Sequence, residues 1–141
     1  MFLPDEAATL AAGAWLAAVL LPGDVVELHG PLGAGKTTLV RGILRARGWA
    51  GAVRSPSFNL LSVYDFELPV AHLDLYRLES PEGIGLEDLL HTHIILIEWP
   101  KGLDELVDEE SRWRVEIVPL EPEGRELIVT PPQGRTIPAL T

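Results

Sequence analysis

Val25-Val26-Glu27-Leu28-His29-Gly30-Pro31-Leu32-Gly33-Ala34-Gly35-Lys36-Thr37-Thr38-Leu39 reads as a strand, a glycine-rich loop and the start of a helix in immediate succession. Val25–His29 is apolar enough for a buried strand, Gly30–Gly35 is the loop, and Lys36–Arg47 is helical until Gly48 and Gly51 end it. Within this stretch Gly30 to Thr37 fits the pattern G-x-x-x-x-G-K-[ST]. The chemistry needs each part. The glycines let the backbone curl so that several N–H groups face phosphate oxygens, and the helix start adds its positive dipole end. The Lys36 ammonium reaches β- and γ-phosphates, and the Thr37 hydroxyl suits Mg²⁺ bridging them. Chance would produce this match on the order of once per thousand such chains. The segment predicts binding of a nucleoside triphosphate.

A phosphate loop needs an acid for the metal and for water. Two apolar strands end in one: Val70-Ala71-His72-Leu73-Asp74 and Ile94-Ile95-Leu96-Ile97-Glu98. Either fits the role of a Walker-B strand, and both carboxylates are expected at the carboxyl edge of the sheet, where open α/β folds bind ligands. Trp99 follows Glu98 and reads either as a core residue, the commoner case for a Trp at a strand end, or as a ring that stacks on a base. Ser55-Pro56-Ser57-Phe58 reads as a turn before a strand, or as a loop whose hydroxyl senses the γ-phosphate. The four His show no metal-binding spacing. No Asn-Lys-x-Asp guanine-reading sequence occurs, which favours ATP over GTP.

The remainder of the 141 residues predicts one α/β domain over 1–130 and a loose tail over 131–141. Ala7–Leu21 is Ala- and Leu-rich and reads as a helix; Phe58–Phe66 and Val70–Leu75 read as extended, and Pro81–Leu90 as a short helix. Leu103–Val107 suits a helical turn, and Arg112–Pro119 with Arg125–Thr130 alternate like a hairpin. The expected architecture is a three-layer sandwich resembling the P-loop NTPases, with a mostly parallel central sheet and an antiparallel hairpin at its C-terminal edge. Apolar residues at 47% and charged residues at 23% exclude a disordered chain. The net charge of −10 argues against gripping nucleic acid by bulk electrostatics. Residues 30–54 alone are basic, at +5. Cysteine is absent, which removes thiol nucleophiles and thiolate zinc sites. Ala7–Leu21 is too short to span a membrane and follows Asp5 and Glu6 instead of a positive flank, so the expected location is the cytoplasm.

Taken together, Gly33-Ala34-Gly35-Lys36-Thr37-Thr38, Ser55-Pro56-Ser57-Phe58, His72-Leu73-Asp74-Leu75-Tyr76-Arg77-Leu78 and Ile97-Glu98-Trp99-Pro100 resemble, in content and order, the TsaE family. The resemblance implies a Mg²⁺-dependent ATPase of tRNA threonylcarbamoyladenosine synthesis. It would act with TsaB and TsaD, reset their complex between turnovers, and meet tRNA only indirectly. It also implies that Lys36 and Thr37 hold phosphates and Mg²⁺, that Thr38 shares the cradle, that Asp74 and Glu98 serve the metal and the attacking water, and that Ser57 stands in a switch-like loop. Two positions depart from the family pattern: Ser57 stands where Thr is usual, and Lys101-Gly102 where Glu-Arg is common. Arg77 is a candidate for a cation acting in cis, and slow hydrolysis is expected without partners. The alternatives are a small-molecule or nucleoside kinase, or a nucleotide-dependent interaction switch.

Overall fold

The computed structural model describes residues 1–53, 61–65, 69–75, 85–100, 103 and 107–137. Seven strands form one sheet: β1 (Phe2–Leu3), β2 (Val25–His29), β3 (Leu61–Tyr64), β4 (Val70–Asp74), β5 (Ile94–Glu98), β6 (Arg112–Pro119) and β7 (Arg125–Thr130). Their order across the sheet is β1-β7-β6-β2-β5-β4-β3. The four central strands β6, β2, β5 and β4 run parallel, whereas β1–β7, β7–β6 and β3–β4 pair antiparallel. The sheet is therefore mixed: its centre is parallel, as expected, and its outer pairings are antiparallel. The hairpin β6–β7 is not at the edge, because β1 adds itself outside β7 with Phe2 opposite Glu126. Two residues of strand carry no readable period, so only this pairing reveals β1.

Among the described residues two α-helices, α1 (Glu6–Ala17) and α2 (Lys36–Ala46), pack together on one face. Asp5 starts α1 as its N-cap, accepting from the Ala8 N–H at 2.9 Å. The helix stops at Ala17, earlier than Leu21, because the next residues serve tertiary contacts. The Leu21 N–H donates to Asp24 Oδ2 at 2.8 Å, and the Val19 and Leu20 carbonyls accept from Arg135 and Arg47. The helices meet through glycine. A Cβ on Gly42 would lie 2.3 Å from the Leu10 carbonyl oxygen, and one on Gly13 would lie 2.5 Å from that of Leu39. Leu16, Leu39, Ile43 and Leu44 fill the core beneath, against Val26, Leu28, Leu96 and Val115.

The opposite face buries Val25, Ala71, Leu73, Ile95 and Ile97 under Leu86, Leu103 and Val107. Among the described residues this cover is a short 3₁₀ turn, Leu86–Asp88, with Leu103 and Val107, whose N–H donates to the Leu103 carbonyl at 2.9 Å. No α-helix stands there among the described residues; the helix expected over 81–90 lies partly outside them, and its described part holds the Leu86–Asp88 turn. Within the expected tail, the described residues reach 137 and Arg135 is anchored. Arg135 donates from both Nη atoms to the Asp24 carboxylate at 2.9 Å and to the Val19 carbonyl at 3.0 Å, and lies over Trp113. Residue 135 is thereby tied to the amino end of β2, 111 positions earlier.

Candidate functional site

β2 is central, and the chain leaves its carboxyl end directly into the glycine-rich loop and α2. Gly35 stands at the N-cap of α2 with φ 112°, in the left-handed region that favours glycine, and supplies no capping side chain. The contrast with α1 is informative. Asp5 satisfies an orphan N–H there, whereas the first N–H groups of α2 receive no side-chain cap and face the loop. A side chain at position 35 would also approach Arg125, whose Nε lies 3.3 Å from where the Cβ would stand. Arg125 comes from the first position of β7 and donates from Nη2 to the Gly33 carbonyl at 3.3 Å, bracing the loop through its carbonyl side.

Lys36 is buried, only 5% exposed. Its Nζ donates to the Gly30 carbonyl at 2.8 Å and stands 3.7 Å from the centroid of the Trp99 indole. Burial pushes the Lys36 ammonium below its usual range, and the carboxylates of Glu98 and then Asp74 pull it partly back up. Trp99 has φ 55°, an unfavourable backbone for a bulky side chain, costing of order 1–3 kcal/mol. The strained residue is the one whose ring packs on the loop lysine. Thr37 and Thr38 follow, both half-buried on the first turn.

Asp74 and Glu98 are register partners at the ends of the adjacent parallel strands β4 and β5, and Glu98 is level with Leu28 of β2. Strand alternation places both acids on the helix side, with Val70, Ile94 and Leu96 of that core. Glu98 is 4% exposed, and its Oε2 lies 2.7 Å from Nε2 of the fully buried His72. Among the described residues no three His, Asp or Glu gather into a ready-made cation cage. The Thr37 hydroxyl and the Asp74 and Glu98 carboxylates are nevertheless an oxygen donor set that suits Mg²⁺. That ion takes few protein ligands and completes its shell with phosphates and water.

The structure thus gathers Gly33, Ala34, Gly35, Lys36, Thr37 and Thr38 with Asp74, Glu98 and Trp99 on one edge of the sheet. Both strand-end acids stand there, so the geometry does not prefer one. Ser57, Arg77, Lys101 and Gly102 lie outside the described residues. Two neighbours escaped the sequence reading. His72 entered that reading within the family motif and for metal spacing but received no role of its own, although its place two residues before Asp74 puts it on the same face. Arg125 had no local signal, because its contact spans 92 positions.

A family model described as threonylcarbamoyl adenosine biosynthesis protein TsaE matches residues 3–127. The tRNA threonylcarbamoyladenosine biosynthesis protein TsaE of Bacillus subtilis is 39% identical over 118 residues, spanning 82% of this chain and 72% of that one. Its namesake in Streptomyces coelicolor is 39% identical over 112 residues, spanning 74% and 76%. That of Haemophilus influenzae is 42% identical over 108 residues, spanning 70% and 68%. The crystal structure of Bacillus subtilis YdiB superposes with a TM-score of 0.79 at 30% identity, covering 94% of this chain and 84% of that one. The chain belongs to the TsaE family.

Proposed function

From that membership we propose that the chain is a P-loop ATPase serving tRNA threonylcarbamoyladenosine synthesis, acting with TsaB and TsaD and touching tRNA only through them. The observation that carries the reading is one cluster: an uncapped α2 N-terminus, Lys36, Asp74 and Glu98 beyond the carboxyl ends of three adjacent parallel strands. The loop N–H groups and Lys36 bind the triphosphate, for which Lys36 exchanges the Gly30 carbonyl for phosphate oxygens. Its burial favours this exchange, since an ammonium denied water gains most from an anion. Thr38 adds a hydroxyl to the cradle, and Trp99, packed on Lys36, borders the nucleotide. Mg²⁺, when bound at Thr37, Asp74 and Glu98, neutralises charge that develops on the phosphates. Asp74 and Glu98 also orient the attacking water, and catalysis rests on positioning and electrostatics.

The cytoplasm is the proposed location; no helix among the described residues is long and apolar enough to cross a membrane. Phosphate release from ATP and Mg²⁺ tests the reading, for wild type and Lys36→Ala, with and without TsaB and TsaD. Release that needs Lys36 and rises with the partners supports the site and the pathway. Release that survives Lys36→Ala overturns the site. Lys36-dependent release that ignores TsaB and TsaD overturns the proposed partnership while keeping the ATPase.

A further inference from the structure

His72 sits mid-sheet on β4, wholly buried, between Ser62 of β3 and Leu96 of β5 in the strand register. Its Nε2 is 2.7 Å from Glu98 Oε2, a short contact for a nitrogen and a carboxylate, in a place only 6% exposed on the Glu98 side. Its other ring nitrogen, Nδ1, is buried with no hydrogen-bond partner among the described residues. A histidine kept for packing would not look like this. An apolar residue would fill the same space among Val70, Leu96 and their neighbours without stranding a polar nitrogen. The side chain therefore gives up one hydrogen bond inside the core, and what it gains is the bond to Glu98.

We propose that His72 is a positioning residue for Glu98: it carries its ring proton on Nε2, donates it to Oε2, and so sets the plane in which the other carboxylate oxygen faces the reaction site. The inference rests on the reading of Glu98 as a metal- and water-serving acid. A carboxylate held at one oxygen keeps the second in a defined direction, and such supporting hydrogen bonds are worth about 10–100-fold in metal affinity or activity. His72 touches neither nucleotide nor water in this scheme. Its effect passes wholly through Glu98.

The first test uses wild-type protein without nucleotide or metal. Nitrogen NMR of the His72 ring should show a protonated, hydrogen-bonded Nε2; an Nε2 without its proton overturns the proposal. The second test compares His72→Leu, His72→Gln and Glu98→Gln, each checked for folding by circular dichroism. His72→Leu should lower kcat, or raise the Mg²⁺ concentration needed for half-maximal hydrolysis, by about 10–100-fold. ATP binding measured without Mg²⁺ should stay within about twofold of wild type, because the loop and Lys36 are untouched. His72→Gln, whose amide N–H reaches to a similar position, should recover most of the loss. A His72→Leu protein that hydrolyses like wild type, or a folded His72→Gln no better than His72→Leu, overturns the proposal. Glu98→Gln separates the two levels. If it is impaired and His72→Leu is not, this inference alone falls; if it turns over ATP like wild type, the reading of Glu98 falls and takes the inference with it.

Discussion

Asp24 and Glu98 are equally buried, each 4% exposed, and lie at opposite ends of the same sheet. Asp24, just before β2, is fully answered. Arg135 binds both its oxygens at 2.9 Å, the Leu21 N–H binds Oδ2 at 2.8 Å, and Trp113 lies beneath the guanidinium at 5.4 Å. The Arg135 pKa is raised, chiefly by its hydrogen bond to Asp24. Glu98, at the end of β5, is held by a histidine, and the nearby cation is committed elsewhere. Lys36 donates to the Gly30 carbonyl and rests on Trp99. Burial alone does not distinguish a structural acid from a functional one. The difference is where the counter-charge is engaged. A cation already locked on the carboxylate closes the site, whereas a cation parked on a neutral carbonyl and an aromatic face is ready for an anionic ligand.

The largest effects should separate the two ends cleanly. Lys36→Ala should reduce hydrolysis by at least about 100-fold with little change in the denaturant midpoint, since it removes the charge aimed at phosphate. Asp24→Asn should do the opposite. It weakens the paired, part-buried Arg135 contact and costs about 2 kcal/mol of stability, while per-molecule turnover of the folded protein is retained. Urea unfolding and phosphate release on the same samples read both. An Asp24→Asn protein that is stably folded yet inactive would abolish the distinction.

Gly42→Ala sharpens it by moving the platform of the site instead of its charges. The added methyl would meet the Leu10 carbonyl, so α1 and α2 must separate, at about 1–3 kcal/mol. Thermal unfolding checks the cost. Because α2 carries Lys36 and Thr37 on its first turn, a rise in KM for ATP should accompany the loss of stability.

What was legible in the sequence follows from range along the chain. The strand, loop and first turn of α2 are contiguous, so the phosphate-loop pattern fixes them locally, and the hairpin strands at Arg112–Pro119 and Arg125–Thr130 emerge with the boundaries their alternation suggests. Asp74 and Glu98 were readable because an acid closing an apolar run is a local signal. Their shared register, however, comes from β4 pairing with β5. What was hidden is long-range. β1 exists only through β7, α1 ends where Asp24, Arg47 and Arg135 claim its continuation, and Arg135 ties down a tail that by composition looks loose. The indole of Trp99 read from its position as core or as a base-stacking ring, and its contact with Lys36 depends on a positive φ that no pattern encodes.

Arg125 tests whether the site's rigidity is also long-range. Its guanidinium holds the Gly33 carbonyl from the start of β7, with Nε buried beside Gly35 and without a partner among the described residues. Arg125→Met keeps the length and removes the donor. It should weaken ATP binding about fivefold, near 1 kcal/mol, with kcat little changed, as expected of a brace acting on binding. Isothermal titration gives the number. Unchanged affinity would mean that the loop holds its shape from its own sequence.

The smallest effect concerns the proton on Lys36, and its sign is fixed by the parked cation. Burial holds the free ammonium below the usual lysine range, with Glu98 and Asp74 only partly restoring it. A bound triphosphate adds negative charge beside Nζ and must raise that pKa again. Between the lowered free value and the raised bound value, the complex holds more protons than the free protein. ATP binding on the alkaline side should therefore take up a fraction of a proton, and affinity should fall as pH rises through the free protein's value, earlier than an ordinary lysine would dictate. Titration calorimetry in buffers of different ionisation enthalpy measures the uptake. Asp24→Asn should leave it unchanged, since Asp24 and Lys36 lie at opposite ends of the sheet. Proton release in place of uptake would mean that Lys36 is not the group meeting the phosphates.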